Sequence, residues 1–134
     1  MAETTLLKEP LTSEMIDIGA RLTEAIDRAG IPVEASFWLF DEESNDWKLR
    51  IASPEHASKG SNVVYRRIGE VIDALSLSHS DFPLWNVRLI RSDDELVRAL
   101  RTEFKEGPYT TPKRLGRGAI RGRFIDDAYI YRVN

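Results

Sequence analysis

Five cations stand between Lys113 and Arg123 with no carboxylate among them: Lys113, Arg114, Arg117, Arg121 and Arg123. Gly116, Gly118 and Gly122 are interleaved with them. A guanidinium presents a planar fork of N–H donors that matches carboxylate and phosphate oxygens, and glycine lets a backbone approach closely. These residue types at this spacing point to contact with an anion, either an acidic protein surface or a nucleic-acid backbone. Tyr109 and Trp85 are candidate stacking groups for a single strand. A solvated basic loop needs no ligand at all, and the run is open to that reading too.

A second arrangement could support hydrolysis. Asp46, Trp47 and Lys48 form a D-x-K fragment like that of nucleases of the PD-(D/E)-x-K type. There, two carboxylates hold a metal and a lysine assists the attacking water. Strand alternation puts Asp46 and Lys48 on one face. The second carboxylate would be Asp41, only five residues away at the same hairpin tip. That is tighter than the nuclease pattern, and no proline precedes it. A metal-dependent nuclease or other hydrolase using Asp41, Asp46 and Lys48 is the alternative to a binding module.

Other chemistry finds little support. The two histidines, His56 and His79, lie in polar stretches without helical metal-ligand spacing. No serine sits in a G-x-S-x-G elbow. The acidic group Asp41, Glu42, Glu43 and Asp46 lacks the spacing and glycine of a calcium loop. Gly116, Gly118 and Gly122 give G-x-G-x-x-x-G, which is not the dinucleotide fingerprint. Asp126 and Asp127 point to opposite faces if they lie in a strand. There is no cysteine, which excludes disulfides and thiolate metal sites. The expectation is a non-enzymatic domain with no cofactor and no resident metal.

These residues need a scaffold. Met15, Ile18, Leu22, Ile26 and Ala29 recur at helical steps, so a helix is expected from about Ser13 to Ala29, capped by Thr12 or Ser13 and stopped by Gly30 and Pro32. Strands are expected at Val33–Asp41 and Trp47–Ser53, joined as a hairpin, followed by a loop through Gly60. A second helix spans Asn62–Leu75. Leu84–Ile90 reads as a strand, and a third helix starts at the capping sequence Ser92 to Glu95 and ends at Gly107-Pro108. Tyr109–Gly118 reads as a loop, with short strands near Ala119–Arg121 and Asp127–Val133. The order α-β-β-α-β-α-β-β defines an α+β fold, a mixed and largely antiparallel sheet of about five strands with three helices. Residues 1–10 read as a flexible tail and 11–134 as a single domain.

The hairpin leaves its register open. If Phe40 faces Trp47, then Trp38, Phe40, Trp47, Leu49 and Ile51 share one face, and Phe37 and Leu39 lie beside Lys48 and Arg50. A slip by one residue puts Trp38 and Phe40 against the cations instead. Either way one large apolar pair shares the charged face. A helix covers it, or it is an interface for a partner or a second copy, with Trp38 and Phe40 as candidates.

The chain is acidic overall, at net −3. Residues 1–60 carry 6 basic and 12 acidic groups, and residues 61–134 carry 13 basic and 10 acidic. The C-terminal half is thus suited to contact with an acidic partner, or with the acidic half of another copy in a homodimer. A net negative charge counts against a dedicated nucleic-acid binder. No stretch has the features of a signal peptide or the ~20 apolar residues of a membrane span, and a cytoplasmic location is expected. The segments VEASFWLFDEESNDWKLRIASPE and FIDDAYIYRVN resemble small bacterial cytosolic proteins. That resemblance implies a stand-alone domain and brings no activity, cofactor or site residue.

Overall fold

Thr12 begins the first helix: its Oγ1 accepts the Met15 amide at 3.1 Å. Helix α1 runs Ser13–Arg28 and buries Ile18, Leu22 and Ile26, the stripe set by its periodicity. It ends at Gly30, whose φ of 86° suits glycine. The computed structural model describes residues 10–76, 86–104 and 112–133, apart from the Arg123 side chain. His79, Trp85 and Tyr109 lie outside the described residues.

Strands β1 (Ala35–Asp41) and β2 (Asp46–Ala52) form the expected hairpin. Two helices follow, the short α2 (Glu55–Lys59) and α3 (Ser61–Ala74). Helix α2 replaces part of the expected loop. It is a single turn with no buried residue, so no apolar periodicity announced it. Strand β3 (Val87–Ile90) pairs parallel to β2. Helix α4 (Glu95–Glu103) is capped by Asp94, which accepts the Leu96 amide at 2.9 Å. The cap is therefore two residues past Ser92.

The basic run is not the loop expected for most of it. It supplies β4 (Lys113–Leu115), β5 (Gly118–Ile120) and the start of β6 (Arg123–Ile125), and β7 (Ala128–Val133) follows. Three-residue strands carry too little alternation to be read from sequence.

The fold is α+β, as expected. One five-stranded mixed sheet has the order β3-β2-β1-β7-β4, and β5 and β6 form a separate two-stranded ribbon. Helices α1 and α3 cover one face of the large sheet. There Ile18, Leu22, Ile26, Val64 and Ile68 pack on Trp38, Trp47, Leu49 and Ile51. Helix α4 and the ribbon cover the other, where Leu96, Val97, Leu100 and Ile125 pack on Phe37, Ala52 and Ile130.

Phe40 pairs with Trp47 and Trp38 with Leu49, which settles the hairpin register. The two rings meet edge-on at 5.5 Å. Phe37 and Leu39 are consequently the pair on the Lys48 and Arg50 face. They pack in the second core, and Phe37 is fully buried. Trp38 and Phe40 are 0% and 7% exposed. An interface at those two residues would need them exposed, and α1 and α3 cover the face they occupy.

Both sheet edges are blunted against pairing with another chain. On β3 the Leu89 amide donates to the Tyr65 hydroxyl at 2.9 Å. On the opposite edge β4 has only three residues, two of them cationic, and follows Pro112.

Candidate functional site: the basic ribbon and its neighbours

Strand β4 runs antiparallel to β7, pairing Leu115 with Ala128. Arg114 therefore emerges beside Asp127, just before β7. Its Nε and Nη2 donate to the two Asp127 carboxylate oxygens at 2.8 and 2.7 Å. The same guanidinium lies 5.4 Å from the Trp47 ring centroid. Hydrogen bonding to Asp127 holds Arg114 in its charged form even more firmly than usual. Arg114 is thus engaged within the fold, where it lies over the Trp47 end of the first core. Lys113 points to the opposite face, with Nζ 5.7 Å from the Phe104 ring.

The ribbon begins after Gly116. Gly118 pairs with Ile125 and Ile120 with Arg123, which leaves Arg121 and Gly122 as a two-residue turn. Their φ values, 51° and 83°, are both positive, as a type I′ turn requires. This twist matches that of the flanking strands, so a tight ribbon forms from only three residues a side. Ile120 and Ile125 face the second core. Alternation then turns Phe124 outward, and it is 57% exposed. The Arg117 guanidinium lies 5.5 Å from its ring centroid. Sequence reasoning passed over Phe124, although its position one residue before a buried isoleucine was the available signal.

Arg121 reaches toward α4, against which β5 packs. It lines a shallow cleft of about 320 Å³ with Glu95, Arg98, Ala99 and Thr102. Arg98 was also unforeseen. It lies on the exposed side of α4, between the buried residues Val97 and Ala99.

The structure separates the five expected binding cations. Lys113 and Arg114 are strand residues, Arg117 precedes the ribbon, Arg121 lies in its turn, and Arg123 belongs to β6 with an undescribed side chain.

At the other hairpin, Asp41 pairs with Asp46 across the ladder, and Lys48 shares their face. Asp41 Oδ1 accepts the Glu43 amide at 3.0 Å, closing the turn. Lys48 Nζ is 3.2 Å from Asp46 Oδ2, and Ser44 Oγ donates to Asp46 Oδ1. The Asp46 carboxylate is thereby occupied on both oxygens. Among the described residues no group of three or more histidines and carboxylates is placed to hold a metal ion. His56 lies in α2, and its enclosed Nδ1 has no hydrogen-bond partner among the described residues. No described helix is long and apolar enough to cross a membrane.

No protein-family model matches the chain, and no curated protein or solved structure is significantly similar to it.

Proposed function

We propose that this protein is a non-enzymatic binding module whose contact surface is the β5–β6 ribbon, and that its partner is an acidic protein surface. The observation that carries this reading is the exposed Phe124 with the Arg117 guanidinium over its ring. Arginine and aromatic residues dominate the energetics of protein interfaces, because each offers a large contact area with a directed polar edge. The ribbon is anchored by Ile120 and Ile125, so its outer residues lose little freedom on binding.

A protein fits better than a nucleic acid. Arg114 is already spent on Asp127, and Arg121 shares its cleft with Glu95. A polyphosphate backbone favours an uninterrupted basic stripe.

Affinity capture compares the intact chain with Arg117→Glu and Phe124→Ser. The expected result is a partner retained by the intact chain and lost with each variant at unchanged thermal stability. Equal capture by all three overturns the assignment of the surface. Anisotropy with labelled DNA and RNA across a salt series tests the other partner class. Binding with a linear log–log salt dependence would transfer the surface to nucleic acid.

A further inference from the structure

Arginine is a poor choice for the position that Arg121 occupies. The first central residue of a type I′ turn needs positive φ, and asparagine, aspartate or glycine normally fills it. A long side chain held at φ 51° carries local strain. The turn gains nothing from a guanidinium, so the reason for Arg121 lies where its side chain goes.

That place is the cleft against α4, where Arg98 forms part of the opposite wall. Arg67, Arg101, Arg114 and Arg132 each meet a carboxylate within the fold. The side chains of Arg98 and Arg121 make no hydrogen bond or close ion pair among the described residues. Two such guanidinia, delivered by separate elements to one concave surface, create a local demand for negative charge. Glu95 on the same lining, and Asp93, whose carboxyl Arg91 and, more weakly, Arg98 hold below its usual range, offset part of that charge. A carboxylate would occupy one guanidinium fork and leave the other. A phosphoryl dianion has the charge and the oxygen atoms to engage both.

We propose that this cleft receives a phosphoryl group, carried on a phosphorylated side chain of the partner and held between Arg98 and Arg121. The inference rests on the ribbon being the contact surface and names the chemical group recognised beside it. Phe124 and Arg117 supply the surrounding contact, and the phosphoryl group makes it conditional on modification.

The test uses the full chain and follows backbone amide NMR signals during titration with phosphoserine, serine and glutamate. Saturable shifts are expected at Arg98, Arg121 and Gly122 with phosphoserine. Glutamate should bind about tenfold more weakly and serine not measurably, because a charge-assisted fork contributes on that scale. Arg121→Asn suits the turn, so it removes the guanidinium without endangering the fold. It should weaken phosphoserine binding about tenfold, as should Arg98→Gln. Equal binding of phosphoserine and glutamate, or undiminished binding by Arg121→Asn, overturns the proposal.

The two readings fail separately. Loss of partner capture in Phe124→Ser, with no phosphoserine binding at the cleft, removes the phosphoryl site and leaves the ribbon surface. Phosphoserine binding at the cleft, with capture unaffected by Phe124→Ser, supports the anion site and removes the ribbon as the protein contact.

Discussion

Trp38 donates its indole N–H to the Tyr131 hydroxyl at 2.9 Å, and that hydroxyl in turn donates to the Ile16 carbonyl in α1. The pair ties β1 to β7 and both to the first helix. Gly19 makes this approach possible: a Cβ there would fall 2.6 Å from Trp38 Nε1. One turn further along α1, Thr23 Oγ1 lies 2.7 Å from both the Gly19 carbonyl and Ser36 Oγ. A chain of buried polar groups thus fixes α1 on the sheet at one height. Gly19→Ala is expected to force the helix outward and cost about 1–3 kcal/mol. Chemical denaturation should show it as a lower midpoint at unchanged slope.

Tyr131→Phe probes the same contact from the other side. It leaves the Trp38 N–H and the Ile16 carbonyl without their partner in a buried place, and a cost of about 1–3 kcal/mol is expected. The thermal midpoint should fall by several degrees, since ~1 kcal/mol corresponds to about 3–6 °C for a chain of this size.

Alkaline stability depends on the same hydroxyl. Burial pushes the Tyr131 phenol well above its ordinary range. Its folded value is raised, so its contribution to stability is complete below the unfolded pKa of about 10 and is lost as pH rises toward the folded value. The intact protein should therefore unfold at lower denaturant concentration at about pH 11 than at about pH 9. Tyr131→Phe should lose that part of the pH dependence while starting from a lower midpoint. A slope equal in both proteins would contradict the assignment to Tyr131.

Arg114 and Asp127 make a different kind of contact, half open to solvent. The Arg114 side chain is 47% exposed, so the ion pair itself is worth no more than about 1 kcal/mol. Its larger effect is to cover Trp47, which is only 2% exposed. Arg114→Ala should shift tryptophan emission to the red as water reaches that ring. Arg114→Met, which keeps an alkyl chain over the indole, should shift it less. Equal shifts in the two variants would show that the charge, and not the covering chain, shields Trp47.

Helix α1 was legible because its apolar residues repeat with the helical period and its cap is local. The hairpin was legible as an element, but its register was not. Phe37, Trp38, Leu39 and Phe40 form an apolar run with no alternation, since the strand is covered on both faces. Only the packing of α4 and the ribbon on the second face distinguishes the alternatives. The same absence hid the ribbon. Three-residue strands have no measurable period, and the glycines and arginines around them read as loop. The run's charge was visible in the sequence, but its division was not. Arg114 meets Asp127 because β4 and β7 are neighbours, and Arg121 meets the cleft because the ribbon folds onto α4. Both facts belong to tertiary structure. The I′ turn was the one local signal available, with glycine following Arg121 at its centre.

That turn permits one further test, in which stability and binding should move in opposite directions. Arg121→Asn replaces a side chain strained at positive φ with one that tolerates it. The ribbon should gain about 0.5–1 kcal/mol, seen as slower hydrogen exchange of the amides that pair Ile120 with Arg123. Arg121→Ala offers no such relief and should leave exchange near its original rate. Both variants remove the guanidinium, so both should lose phosphoserine binding to a similar extent. Faster exchange in Arg121→Asn would mean that arginine suits the turn, which would remove the strain argument for its place at the cleft.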